Sequence, residues 1–468
     1  MITIQNLSFI YDGYQEECLK NVSFHIKEGE VVLLTGLSGS GKSTVLKCLN
    51  GLIPHLYEGT LSGKIFLDGV PLENLSAADI NQTVGSVFQN PRSQFFTTST
   101  ISELAFAMEN YGIPYEEMKA QMESLSQRFD LEPILGRDIF QISSGERQRL
   151  SLACSFSLNP KILMFDEPSS NLDYAMTMKI GEYIKSFKAQ GYTILVADHR
   201  YFYLNQLLDK IIVMEDGSVS GIYTEEEFKQ SSYPLRKFTL FDTPYPLLPY
   251  QPLESCLEIK DLSYLDILNE VSLQCKKGEV TAILGKNGAG KTTLAKLICG
   301  MEKPSSGVIN APPALFVMQD SDYQLFGTSA ENELSICPHP VSKEEIHSAL
   351  EKVGLLALRY RHPFALSGGE KQRLQIATAM VSQNELLVFD EPTSGLDFYS
   401  MHAVSDLILS LAETKAVLVI SHDYEFIRKT AHRIVYLADG CVKDDFILTE
   451  STASQIETIF QQMKGDSL

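Results

Sequence analysis

The string GLSGSGKST, Gly36 to Thr44, returns slightly altered as GKNGAGKTT, Gly285 to Thr293. Both fit G-x-x-x-x-G-K-[ST], a glycine-rich turn between a strand and a helix, so the chain must build that strand–loop–helix unit twice. Gly36, Gly39 and Gly41, like Gly285, Gly288 and Gly290, let backbone N–H groups wrap an anionic phosphate chain, and the N-terminus of the following helix adds a favourable dipole. With Ser38, Ser40 and Thr44 in the first copy, and Asn287, Ala289 and Thr293 in the second, they form two candidate cradles for ATP. Lys42 and Lys291 are placed to reach the β- and γ-phosphates, and the hydroxyls of Ser43 and Thr292 to hold Mg²⁺.

The repeat continues beyond these loops. Gly145 to Glu167 and Gly369 to Glu391 both span 22 residues, while Glu167 to His199 spans 32 and Glu391 to His422 spans 31. Upstream the copies differ: Lys42 to Gln89 is 47 residues, Lys291 to Gln319 only 28. The first copy has gained, or the second lost, about a hairpin's worth of chain. GTLSGKIFLDGVPLENL, Gly59 to Leu75, fills that gap and reads as strand, turn, strand. Apolar β-branched runs alternate with helical stretches in each copy, which predicts an α/β fold with a largely parallel sheet. The expected organisation is a first domain over residues 1–230, a linker over 231–256 with five prolines and no periodicity, a second domain over 257–450, and a polar, fraying helix over 451–468.

Two further pairs of strings carry chemistry. KILMFDEP (Lys161 to Pro168) and LLVFDEP (Leu386 to Pro392) are apolar strands ending in two carboxylates. Asp166 and Asp390 are expected to complete the Mg²⁺ shell, and Glu167 and Glu391 to orient and polarise the attacking water. ISSGERQRL (Ile142 to Leu150) and LSGGEKQRL (Leu366 to Leu374) each open a helix with a turn of small residues, again an anion site. Each half already has its own phosphate loop, so this second site is best explained if it serves the nucleotide bound by the other half.

Here the sequence resembles the ATP-binding cassette (ABC) family, over nearly all of both halves. The resemblance implies two tandem cassettes, each a mixed, largely parallel sheet core with an antiparallel β subdomain and a helical subdomain. It implies Mg²⁺-dependent ATP hydrolysis by an intramolecular cassette pair closing head-to-tail over two ATP. Ser367, Gly368 and Gly369 would then face the nucleotide on Lys42, and Ser143 and Gly145 the one on Lys291. Gln89 and Gln319 match the loop that contacts Mg²⁺ and a membrane partner, Asp173 and Asp397 match the family's D-loop, and His199 and His422 match the histidine that contacts the γ-phosphate. Tyr11 is placed like the aromatic that stacks on adenine. Tyr264 is two residues early for that role, and Ser144 stands where the family usually has glycine.

VFQNPRSQFF (Val87 to Phe96) and VMQDSDYQLF (Val317 to Phe326) each place a second glutamine, Gln94 and Gln324, five residues after the first. This pattern resembles the ATPases of energy-coupling-factor importers and their cobalt and nickel relatives. The implied partners are an integral membrane coupling subunit and a substrate-capture membrane protein, with the chain peripheral at the cytoplasmic face; the cargo stays open. Glu103 and Glu333 are positioned to meet arginines of the coupling subunit. The rival is a soluble twin-cassette ATPase acting on ribosomes or DNA, but the linker is short, Pro/Tyr-rich and not basic. With 39 basic against 59 acidic residues the formal charge is −20, which argues against a nucleic-acid partner. None of the eight cysteines forms a C-x-x-C pair, so no zinc or redox motif is expected. The N-terminus has no signal-peptide pattern and the apolar runs are too short to span a bilayer, so no direct membrane insertion is expected.

Overall fold

The computed structural model describes residues 1–90, 94–170, 172–233, 236–242 and 245–465. The chain divides into two compact units, one of Met1–Leu172 and Met176–Thr239, the other of Asp173–Ala175 and Leu240–Leu468.

In the first unit, six strands lie in the order Ser218–Tyr223, Lys210–Glu215, Val31–Thr35, Thr193–Ala197, Ile162–Asp166, Val84–Val87. All neighbours are parallel except Ser218–Tyr223 with Lys210–Glu215. Val31–Thr35 sits inside the sheet and is buried along its whole length, as a run of β-branched and aliphatic residues covered on both faces requires. A second, antiparallel sheet runs Leu19–Ile26, Ile2–Tyr11, Gly59–Leu67, Val70–Pro71. Its last two strands form the expected hairpin, closed by Asp68 (φ 52°) and Gly69 (φ 78°). Two successive positive φ values fit a two-residue hairpin loop. Helices Thr100–Asn110, Tyr115–Arg128 and Ser144–Phe156 contribute to a core that includes Leu104, Leu125, Phe129, Leu150 and Phe156.

The second unit repeats this plan. Its six-stranded sheet runs Ala314–Val317, Leu386–Asp390, Ala416–Ile420, Val280–Leu284, Arg433–Ala438, Cys441–Ile447, with only the last pair antiparallel. Its antiparallel sheet has three strands, Leu268–Lys276, Ser255–Tyr264 and Ser306–Asn310. Among the described residues it has no counterpart of Val70–Pro71, which accounts for part of the shorter path from Lys291 to Gln319. No helix of the described residues is long and apolar enough to cross a membrane.

One expectation needs correction. The tail is not merely polar: Ala453–Gly465 is a helix whose Ile456, Ile459, Phe460 and Met463 recur at helical spacing and are buried in the core of the second unit. The Phe460 ring meets Tyr424 at 5.5 Å, and Phe241 meets Tyr424 at 5.0 Å. The Pro-rich linker has an anchor point in each unit. Phe238 packs on Tyr201 at 4.7 Å in the first unit, and the Tyr250 hydroxyl donates to Glu279 at 2.8 Å in the second. Aromatic residues spaced along an aperiodic segment give it anchor points that periodicity does not reveal.

Candidate nucleotide sites

Each phosphate loop begins at the end of a central buried strand and ends in a helix N-cap glycine with a left-handed backbone, Gly41 (φ 96°) and Gly290 (φ 96°). A Cβ at Gly36 would stand 2.2 Å from the Met214 carbonyl oxygen, and one at Gly285 2.3 Å from that of Leu437, so neither position admits a side chain. Gly39 and Gly288 face open space with positive φ, leaving their backbone approachable. The Lys42 ammonium reaches back to the carbonyls of Gly36 and Leu37 (2.9 Å each), and that of Lys291 to Gly285 and Lys286 (2.8 Å each). Burial lowers the Lys291 pKa, opposed by the charges of Glu391, Asp173 and Asp390.

The expected metal-binding pairs are in contact within each unit. Ser43 Oγ donates to Asp166 Oδ1 at 2.9 Å and Thr292 Oγ1 to Asp390 Oδ2 at 2.8 Å. Burial, and next the charge of Glu167, push the Asp166 carboxyl up to about 6; burial also raises that of Asp390. A raised, largely buried carboxyl in each unit suits a divalent ion, and a hydroxyl beside each supplies a neutral oxygen ligand. Ser40 Oγ, buried and without a partner among the described residues, adds a hydroxyl inside the first loop. The residues present therefore fit a Mg²⁺–triphosphate.

Glu167 and Glu391 follow directly, both with left-handed backbones (φ 45° and 50°) pinned by N–H bonds to the carbonyls of Ala197 (2.8 Å) and Ile420 (2.9 Å). Gln89 Nε2 donates to Glu167 Oε2 at 2.7 Å, and His199 Nδ1 lies 3.5 Å from Oε1. Burial alone would raise the Glu167 pKa, but the positive fields of His199, Lys42 and Arg200 outweigh it and hold it below the ordinary carboxylate value. In the second unit His422 Nε2 lies 3.2 Å from Glu391 Oε1 and 3.0 Å from Asn287 Oδ1. Gln319 lines a small cavity with Gln372 and Glu391.

The remaining predicted residues fall at helix starts or beside the loops. Ser143 and Ser367 are N-caps with capping boxes closed by Glu146 and Glu370, which leaves Ser144, Gly145, Gly368 and Gly369 in the first helical turns. Asp397 caps Phe398–Ala412 by accepting from the Ser400 N–H at 2.8 Å. Asp173 groups with the second unit, where Oδ2 accepts from the Asn287 N–H at 2.9 Å. Tyr11 bonds Thr44 Oγ1 through its hydroxyl at 3.1 Å; the sequence did not point to Cys18, whose Sγ lies 3.3 Å from the same oxygen. Tyr264 instead donates to Glu302 at 3.2 Å.

The segment after each first glutamine corrects one expectation. Glu103 and Glu333 are 5% and 8% exposed and turned inward. Glu103 Oε2 accepts from the N–H groups of Phe96 (3.0 Å) and Thr97 (2.8 Å) and from the Thr97 hydroxyl (2.9 Å). Glu333 Oε2 accepts from the N–H groups of Phe326 (2.8 Å) and Gly327 (2.5 Å). A carboxylate committed to two or three loop donors is satisfied internally and has no reason to seek an external arginine. What these carboxylates hold outward are Phe96 and Phe326, 76% and 77% exposed. Gln94 and Gln324 likewise serve their own units: Gln94 Oε1 accepts from Phe88 N (3.4 Å) and the Ser151 hydroxyl (2.7 Å), and Gln324 Oε1 from Met318 N (2.9 Å) and Gln375 Nε2 (2.9 Å). Pro91 of the first pattern and Asn171 of SSNLD lie outside the described residues.

The sequence can now be set beside known proteins. The ABC transporter family matches residues 19–170 and 268–394, which contain both phosphate loops and both Asp-Glu strand ends. A Treponema denticola protein, provisionally named ABC transporter ATP-binding protein, is 38% identical over 99% of this chain and all of its own length. A Bacillus subtilis protein, provisionally named HMP/thiamine import ATP-binding protein YkoD, is 30% identical over 94% of this chain and 90% of its own. Among solved structures, a ribosome-bound archaeal Pelota and ABCE1 assembly contains a chain that matches with a TM-score of 0.71 at 24% identity, covering 97% of this chain and 80% of that one, a likeness of fold alone. This chain belongs to the ABC transporter family and is an ATPase with two ATP-binding cassettes.

Proposed function

We propose that this chain is the energy-supplying subunit of a membrane importer of the energy-coupling-factor type, taking up a vitamin or metal micronutrient. The observation that carries this reading is the similarity to the HMP/thiamine import ATP-binding protein of B. subtilis along nearly the whole of both chains. The doubled glutamine pattern around Gln89 and Gln319 supports it. In this reading the chain works at the cytoplasmic face of the membrane, beside an integral coupling subunit and a substrate-capture membrane protein.

The residues take the following parts. Backbone N–H groups of Gly36–Gly41 and Gly285–Gly290, with Lys42 and Lys291, bind the triphosphate. Ser43 and Asp166, and Thr292 and Asp390, hold Mg²⁺ with help from Gln89 and Gln319; when bound, the ion neutralises charge on the phosphate oxygens. Glu167, ionised at neutral pH, accepts a hydrogen bond from the attacking water at a carboxylate oxygen, and Glu391 does the same in the second unit. His199 and His422 fix those carboxylates and donate toward the terminal phosphate. Two ATP draw the cassettes together, with Ser367, Gly368 and Gly369 serving the Lys42 loop and Ser143 and Gly145 the Lys291 loop. Hydrolysis releases them, and the cycle moves the membrane partner.

The test is to tag the chain in its own cells and compare detergent-solubilised membranes with sedimented ribosomes. Co-purification of a polytopic membrane protein is expected. Recovery with ribosomes and without any membrane protein would overturn the import reading while leaving the ATPase intact.

A further inference from the structure

The backbone approaches the two phosphate loops in the same way, but different side chains overhang them. In the first unit Phe9 stands opposite Leu19 in the strand pairing, and the strand runs on to Tyr11. In the second unit it is Tyr264 that stands opposite Leu268, and the strand ends there. Tyr264 thus holds the register position of Phe9, and the position of Tyr11 falls on Asp266, in the turn. The next strand returns over each loop alike. A Cβ at Gly41 would meet Leu19 Cδ2 at 2.8 Å and the Cys18 carbonyl at 3.1 Å; one at Gly290 would meet Leu268 Cδ2 at 2.7 Å and the Ile267 carbonyl at 3.4 Å.

At the first loop, the Tyr11 ring is therefore fixed through Thr44, in the first turn of the phosphate-loop helix, and backed by Tyr57 edge-on at 6.5 Å. A base carried by a triphosphate seated in that loop has a π face within reach. At the second loop the corresponding turn presents Leu265 and Ile267, 67% and 39% exposed. Aliphatic side chains give contact area but no stacking partner, and stacking favours the larger purine ring system over a pyrimidine.

We propose that the two nucleotide sites differ in base selectivity: the Lys42 site reads the base as well as the phosphates, whereas the Lys291 site holds the triphosphate and takes purine and pyrimidine nucleotides alike. The inference rests on the reading of both loops as nucleotide sites. It is tested by calorimetric titration of the full chain with ATP, CTP and inorganic tripolyphosphate, using Lys42→Ala to leave the second site and Lys291→Ala to leave the first. With Lys42→Ala, the Kd values for ATP and CTP agree within about threefold and tripolyphosphate follows closely. With Lys291→Ala, ATP binds about tenfold tighter than CTP, and adding Tyr11→Ala removes that preference. Asp266→Tyr in the Lys42→Ala chain should create a preference for ATP.

A tenfold ATP preference in the Lys42→Ala chain overturns the proposal. Loss of all nucleotide and tripolyphosphate binding there, in a chain that still melts cooperatively, overturns instead the assignment of the second loop as a site. Should either lysine variant fail to fold, the unsubstituted chain decides: two classes of site are expected with ATP, only one of them weakened by CTP, and equal weakening of both is the contrary result.

Discussion

Gln89 Nε2 donates to Glu167 Oε2 at 2.7 Å, so in the first unit the carboxylate that faces the phosphate loop is already engaged by a neutral amide. In the second unit Glu391 Oε1 lies 3.2 Å from His422 Nε2. An ionised carboxylate has acceptor sites left after one such contact, so either can still accept from a water. Glu167→Gln together with Glu391→Gln keeps the hydrogen-bonding shape but cannot take charge. The double variant should hydrolyse ATP about 10²–10³-fold more slowly while binding it as before. A phosphate-release assay beside a binding titration checks this, and undiminished turnover would remove both glutamates from the mechanism.

Glu103 and Glu333 set the second expectation. Replacing Glu103 by Ala leaves the Phe96 and Thr97 N–H groups without their acceptor, at a cost of about 1–3 kcal/mol. Lower thermal stability and faster proteolysis after Phe95–Thr98 should follow, with Glu103→Gln intermediate. Glu333→Ala should act in the same direction on the second unit. Melting curves that do not move would show that the loops are held by something else.

His432 gives the second unit a pH dependence. It is buried, its Nδ1 accepts from the Val280 N–H at 3.0 Å, and burial lowers its pKa in spite of the nearby Glu279. A histidine depressed in the folded state binds fewer protons there than when unfolded. Its contribution is therefore complete above the unfolded value of about 6.5 and is lost as pH falls through the lower folded value. Thermal melts between pH 7.5 and 5 should show the second unit weakening on acidification. His432→Asn, which can still accept from Val280, should reduce that slope.

Phe460, fully enclosed near Tyr424 and Phe241, tests the tail helix. Phe460→Ala should destabilise the second unit by about 3–5 kcal/mol through lost burial and the cavity left behind. Calorimetry should resolve one lowered transition, and an unchanged thermogram would mean that the helix is not part of that core.

The motifs legible in the sequence were those whose chemistry depends on a short local backbone. The phosphate loops, the Asp-Glu strand ends and the capped signature helices lie where their strings predict, because turn glycines and N-cap serines act on residues within a few positions. Glu103 was misread because an acid on a helix looks solvated until the loop folded over it is known. The tail was read as polar because its apolar stripe is sparse and finds its partners far away in sequence, at Tyr424 and Phe241. The displacement of Tyr264, by contrast, was visible by counting, since a two-residue shift in a strand keeps the same face but changes the height above the loop.

The left-handed backbone at Glu167 and Glu391 has a consequence for how this chain responds to selection. A glutamate is among the less suited residues for that conformation, whereas asparagine or glycine accepts it with little strain. Variants chosen only for resistance to heat should therefore drift toward Asn or Gly at these two places and lose turnover as they gain in melting temperature. Retention of glutamate under such a regime would be a sign that hydrolysis itself was still being demanded of the protein.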